Sequence, residues 1–116
     1  MLEDLNRFLP LSPAILHILL ALAGEDRHGY GIMQEIARQS EGQYKLGPGT
    51  LYDNLQRMMD RRLVEEAAGR HRDDDPRRRY YRLTRLGRSV LAAEVARLET
   101  VVREAKLRLR TSPGRA

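Results

Sequence analysis

The chain has 116 residues, 41% of them hydrophobic and 32% charged, with no cysteine, no tryptophan and a formal net charge of +5. That length suits one domain with one modest core, and the apolar fraction lies outside both the membrane-spanning and the natively unfolded regimes. Without cysteine, disulfides, thiolate metal sites and a cysteine nucleophile are excluded, and an aromatic content of 5% leaves little for a ligand cage within one chain.

The cations are nearly all arginine, and eight arginines fall between Arg70 and Arg88 against three acids, Asp73, Asp74 and Asp75. A basic patch of rigid, always-charged guanidinium forks points to a polyanionic partner. Glu3 and Asp4 precede any apolar run, unlike the cationic start of a secretory signal. The longest apolar stretch, Ala14 to Ala23, is broken by His17 and is shorter than the ~20 residues a spanning helix needs. The sequence therefore predicts a soluble, unprocessed, cytoplasmic chain with no membrane partner.

In chain order, Ser12-Pro13 predicts a helix start, with Ser as N-cap and Pro in the first turn. Ile15, Leu16, Ile18, Leu19, Leu20 and Leu22 then make a buried first helix that stops at Gly24. After a polar turn at Glu25-Asp26-Arg27, residues Tyr30 to Gln39 set Ile32, Met33, Ile36 and Ala37 against Gln34, Glu35 and Arg38, the spacing of a short amphipathic helix. Gly42 to Leu46 predicts a brief extended segment. Gly47-Pro48-Gly49 closes it, and from Thr50 the apolar set Leu51, Leu55, Met58 predicts a third helix. Its exposed flank carries Thr50, Tyr52, Asn54, Gln56, Arg57 and Arg61.

Leu63 to Ala67 and Arg79 to Leu83 predict the two strands of a hairpin with a long charged tip. If Tyr81 and Leu83 face inward, a period of two turns Tyr80 and Arg82 outward. Thr84 caps a long last helix whose apolar positions Leu91, Val95, Leu98, Val102, Ala105 and Leu109 alternate steps of four and three, the a/d seam of a coiled coil. Thr111 to Arg115 is predicted to fray.

The predicted fold is thus mainly α with a small β-hairpin: a winged helix-turn-helix over residues 1–84, a coiled-coil-like dimerisation helix over 85–110 and a flexible tail over 111–116. In that architecture the third helix enters the DNA major groove and the hairpin flanks it. The Gly47-Pro48-Gly49 turn leaves helix N–H groups open to phosphate at Gly49, and Thr50 adds a hydroxyl. Asn54 suits an adenine edge and Arg57 a guanine edge, Tyr52 phosphate or core, and Arg61 continues the cationic flank. Arg77, Arg78, Arg79 and Arg82 form the wing's phosphate-binding cluster, which Asp73 to Asp75 partly cancel.

Other readings of these residues carry less. His17 has no second ligand at matching spacing. His28 begins a helix, and Asp73 to Asp75 lack the spaced ligands and glycine turn of a calcium loop. No catalytic set, metal site or cofactor is predicted. The rival to a DNA-binding regulator is a winged-helix module that uses the same arginines on a protein or an acidic surface.

His28-Gly29-Tyr30-Gly31-Ile32, Gly47-Pro48-Gly49-Thr50-Leu51-Tyr52 with Leu55, Leu63-Val64, and Tyr80-Tyr81-Arg82-Leu83-Thr84 with Gly87 together resemble the PadR family of bacterial transcriptional regulators, from about Leu11 to Leu109. The chain is similar to the shorter members, which have a single carboxy-terminal helix. The resemblance implies a homodimeric repressor on a pseudo-palindromic operator in double-stranded DNA. It also implies a small aromatic or cationic effector near the dimer interface. Two features depart from the family pattern. The wing reads Asp73-Asp74-Asp75-Pro76-Arg77-Arg78-Arg79 in place of a Gly-Arg-Pro type of tip, and the interface tryptophan of the drug-binding members is missing.

Overall fold

The computed structural model describes residues 4–67 and 78–110. Arg77, the Asp73 to Asp75 tip and the predicted tail at 111–116 lie outside the described residues.

A 3-10 helix at Leu5–Phe8 precedes α1 (Pro13–Ala23), β1 (Arg27–His28), α2 (Gly29–Gln39), α3 (Pro48–Asp60), β2 (Val64–Glu66), β3 (Tyr80–Leu83) and α4 (Arg85–Arg110). Local chemistry sets these limits. Ser12 caps α1 by accepting the Ile15 N–H at 3.3 Å, which satisfies one of the donors that a helix start leaves unpaired. At the other end, Gly24 is right-handed and gives no left-handed cap. Arginines from elsewhere take the last carbonyls instead: Arg27 Nε donates to Ala21 O at 2.7 Å and Arg88 to Ala23 O at 3.4 Å.

Helices α2 and α3 both end in Schellman turns without a glycine at the left-handed position. Glu41 (φ 53°) and Arg62 (φ 63°) occupy it. Gly42 N–H then donates to Ala37 O and Leu63 N–H to Met58 O, each at 2.8 Å. Thr84 begins α4 as foreseen. Its hydroxyl accepts the Gly87 N–H at 2.9 Å and donates to Arg62 O at 2.6 Å, which joins the end of α3 to the start of α4.

The predicted hairpin is part of a three-stranded antiparallel sheet in the order β1-β3-β2. The expected polar turn at Glu25-Asp26-Arg27 therefore stops one residue short, because Arg27 and His28 pair with Tyr81 and Tyr80. On the other side Val64, Glu65 and Glu66 pair with Leu83, Arg82 and Tyr81. Tyr81 and Leu83 are buried and Arg82 exposed, as the alternation required. The extended segment expected at Gly42 to Leu46 is not a strand. The turn after α2 ends at Gly42, and the Ser40 hydroxyl ties the following residues back to it, bonded to both the N–H and the carbonyl of Tyr44 at 3.0 Å.

One core joins the four helices to β2 and β3: Ile18, Leu19 and Leu22 of α1, Ile32 and Ile36 of α2, Leu51, Leu55 and Met58 of α3, with Leu63, Val64, Tyr81, Leu83, Val90 and Leu91. Each fully buried aliphatic side chain contributes about 1.5–3 kcal/mol of transfer free energy, against about 0.2–1 kcal/mol for an exposed ion pair. Packing therefore decides how the helices sit. Leu91 corrects one expectation. Counted above among the residues that meet a partner, it is buried in its own chain's core, because the first turns of α4 pack against the head before the helix runs free.

Candidate nucleic-acid interface

Helix α3 starts at Gly47, which makes no side-chain cap bond, so the first N–H groups of the helix are not taken by a side chain. Thr50, Asn54, Arg57 and Arg61 follow in steps of four, three and four, which keeps them within about 60° of one another around the axis. Leu51, Leu55 and Met58 turn into the core and hold that stripe outward. Arg57 is exposed and makes no ion pair with any described residue. Asn54 is half-buried, and its Nδ2 donates to Thr50 O at 2.9 Å. It must release that bond before it can address a base. Asp53 stands exposed beside the stripe, and a carboxylate accepts from cytosine N4. Its negative charge beside a cationic flank gives no phosphate-binding signal in the sequence.

Tyr52 leaves α3 on the opposite flank from Arg57 and meets the amino terminus of α2. A Cβ at Gly29 would overlap the Tyr52 hydroxyl, so the glycine lets the phenol lie against α2. Together His28, Gly29, Tyr30, Tyr52, Arg78, Arg79 and Tyr81 line a cleft of about 350 Å³. Burial pushes the Tyr81 phenol above its ordinary pKa, with Tyr52 and Glu66 adding to the shift and Arg79 opposing it. Tyr81 is thus a hydrogen-bond donor at neutral pH. The cleft gathers three residues of the predicted site, Tyr52, Arg78 and Arg79, and adds His28 and Tyr30.

The wing cations are not bare. Arg82 Nε lies 2.9 Å from Glu65 and Arg79 3.6 Å from Glu66, across the β2–β3 ladder, while Arg78 reaches the His28 ring at 3.0 Å. Exposed pairs of this kind are worth so little that a phosphate can displace the glutamates. Arg61 stands apart from the cleft. It lies with Arg7, Phe8, Asp60 and Arg62 around a second hollow of about 390 Å³ at the far end of α3, about 16 Å along the axis from Thr50.

Beyond the head, α4 carries Val95, Leu98 and Val102, which with Glu99, Arg103 and Lys106 border a shallow groove of about 410 Å³. Val95 and Val102 are 40% and 49% exposed and Leu109 is 78% exposed. This stripe continues the same face that Gly87, Leu91 and Glu94 bury against the head.

Three helices, a small sheet with its β2–β3 wing, and a polar, partly cationic third helix define the winged helix-turn-helix class. No helix among the described residues is long and apolar enough to cross a membrane. The family profile described as the transcriptional regulator PadR-like family matches residues 15–93, and the chain belongs to that family of transcriptional regulators. It is 39% identical over 90 residues to Transcriptional regulator Rv3488 of Mycobacterium tuberculosis, an alignment that covers 77% of this chain and 78% of that protein.

Solved structures share the fold. A PadR family transcription regulator from Clostridium difficile superposes with a TM-score of 0.70 at 23% identity, over 84% of this chain and 99% of the other. Bacillus subtilis PadR in complex with operator DNA superposes with a TM-score of 0.62 at 17% identity, over 74% of this chain and 48% of that one.

Proposed function

We propose that the protein is a homodimeric, cytoplasmic repressor that binds a pseudo-palindromic operator. In this reading Asn54 and Arg57 of α3 meet base edges in the major groove, while the helix start at Gly49, the Thr50 hydroxyl, Tyr52, Arg78, Arg79 and Arg82 hold backbone phosphates alongside. Base contacts then specify and phosphate contacts position. Arg77 joins the wing set on sequence grounds, and Arg61 is the outermost member of the α3 stripe. The operator complex of Bacillus subtilis PadR supports the assignment through the shared fold.

The observation that carries the homodimer is the uncovered apolar stripe of α4. An exposed apolar run on a helix face already continuous with a core calls for a cover, and the a/d spacing of Val95, Leu98, Val102, Ala105 and Leu109 fits a second copy of the same helix. Two heads so joined address half-sites about 34–36 Å apart. The groove by Val95, Leu98 and Val102, closed by a partner, is where a small aromatic or cationic effector would bind. Calorimetric titration with planar aromatic cations tests this. Heat of binding with a changed DNA affinity is expected, and neither would remove the effector from the account.

Val102→Asp tests the homodimer, since it puts an unpaired carboxylate into the seam far from the DNA-facing residues. Sedimentation equilibrium is expected to give twice the 13.4 kDa chain mass for the wild type and the single mass for the variant. Operator affinity should fall by more than roughly tenfold when the two heads are unlinked. A variant that remains dimeric with unchanged affinity would contradict the α4 seam.

A further inference from the structure

Leu51, Leu55 and Met58 fix which side of α3 is buried, and at about 100° per residue the direction opposite their mean passes within about 15° of Asp53. Arg57 stands about 55° to one side of that direction and Tyr52 about 85° to the other. Asn54 is turned about 115° away, in keeping with its half-burial. The side chain that a major groove would meet first is therefore an acid. Asp60 shares its direction two turns on, but that carboxylate accepts from Gln56 Nε2 at 3.1 Å and borders the hollow with Arg61 and Arg62. The Asp53 carboxylate is exposed and makes no hydrogen bond or ion pair with any described residue, Arg57 four positions on included.

An unpaired carboxylate at the centre of a DNA-facing surface has few places to go. Duplex DNA carries one negative charge per about 1.7 Å of axis, so the phosphates on the groove walls repel it. A carboxylate only accepts, whereas guanine offers N7 and O6 and thymine O4, all of them acceptors. Adenine sets the acceptor N7 beside its N6 amino group. Cytosine alone presents a donor, N4, with no acceptor on its own edge.

We propose that Asp53 is a specificity-determining residue, which accepts from N4 of one cytosine in each half-site and repels the other bases and the backbone. This rests on the DNA-binding reading and adds to it selection by exclusion. The arginines attract any duplex, and the carboxylate opposes that attraction wherever no cytosine lies beneath it. Asp53 and Arg57 then read different base pairs, a cytosine and a guanine, from adjacent turns of one helix.

The test is a set of duplexes in which each base pair of the site bound upstream of the chain's own gene is replaced in turn by the other three, titrated with the wild type, Asp53→Ala and Arg57→Ala. Asp53 supports no core residue, so Asp53→Ala should keep the wild-type urea midpoint. In the wild type, replacing one C·G pair in each half-site should cost about tenfold or more. Asp53→Ala should accept all four pairs there within about twofold and discriminate elsewhere as the wild type does. It should also bind a scrambled duplex about threefold more tightly, because a like charge is gone. Asp53→Asn should move the preference to A·T, since an amide pairs with adenine N6 and N7.

An undiminished cytosine preference in Asp53→Ala would overturn the proposal, and so would equal or weaker binding of the scrambled duplex by that variant. If Asp53→Ala flattened the same base pair as Arg57→Ala, Asp53 would act by holding the guanidinium, and the cytosine contact would be overturned. A wild type that binds the site no better than the scrambled duplex would overturn the DNA-binding reading itself, whereas the other results leave that reading in place.

Discussion

Glu94 is 1% exposed, beside Val95 of the seam in a helix that the sequence presents as amphipathic. Its carboxylate accepts the Leu11 N–H at 3.1 Å and the Arg97 guanidinium at 2.7 and 3.0 Å, which pins the amino-terminal segment to α4. The hydrogen-bonded Arg97 holds the carboxyl below its ordinary pKa against the opposing effect of burial, and the Leu11 N–H adds to the lowering. A carboxyl depressed in the folded state contributes stability above its unfolded value, and that contribution is lost as pH falls through the depressed one. Wild-type urea midpoints should therefore fall as pH drops from about 5 through the carboxylate range near 4. In Glu94→Gln they should start lower at pH 7 and fall less. Parallel curves would contradict the role given to Glu94.

Gly87 answers to a different constraint at the same scale. A Cβ there would run into the Leu63 carbonyl oxygen, which also accepts the Thr84 N–H at 3.1 Å. Backbone cannot step aside as a side-chain tip can. Gly87→Ala should destabilise by about 1–3 kcal/mol, although alanine is the better helix former. A stability equal to or above the wild type in chemical denaturation would show that α4 is free to move off β2. Gly29 makes the contrast, since its added Cβ meets the far end of the Tyr52 side chain, its hydroxyl and adjoining ring carbons, rather than backbone.

At the scale of elements, α1, α3 and α4 were legible because their ends carry local chemistry: Ser12 before Pro13, Pro48 within a glycine turn, and Thr84 before an apolar seam. The Tyr81 and Leu83 alternation gave β3 its inward face. Strand β1 was not legible, since two residues have no period to read and Arg27–His28 is a strand only because β3 lies beside it. The glutamates that mask Arg79 and Arg82 needed the ladder register, which places Glu65 opposite Arg82. The cleft at His28 needed tertiary structure altogether, because it joins residues about fifty positions apart along the chain.

The prediction that belongs to α3 is that Arg57→Ala, at an exposed position that supports no core residue, leaves stability unchanged. It should also reduce discrimination between operator and scrambled duplex by about 1–3 kcal/mol. Equal weakening on both duplexes would move Arg57 from base reading to phosphate binding.

At the scale of the whole molecule, the chain carries the polar α3 stripe on its head and an uncovered apolar stripe on α4 running away from it, and in the proposed dimer the α4 stripe sets how the two heads are spaced. Leu91 shows why the seam was only partly readable. The a/d pattern is continuous from Leu91 to Leu109, but Leu91 is spent on the chain's own core while Val95, Val102 and Leu109 stay exposed. A net charge of +5 gives any such dimer a general attraction for DNA, so affinity alone is weak support for a regulator. Selectivity is the quantity that bears on it.

The most direct test is titration of the purified full chain into the duplex upstream of its own gene and into a scrambled duplex of the same length, at several salt concentrations. The account predicts two chains per operator duplex, a preference of roughly 10³ or more over the scrambled sequence, and a preference that outlasts the fall in affinity as salt rises. Equal binding to both duplexes, lost in parallel with salt, would contradict it and leave an arginine-rich module that recognises charge without sequence.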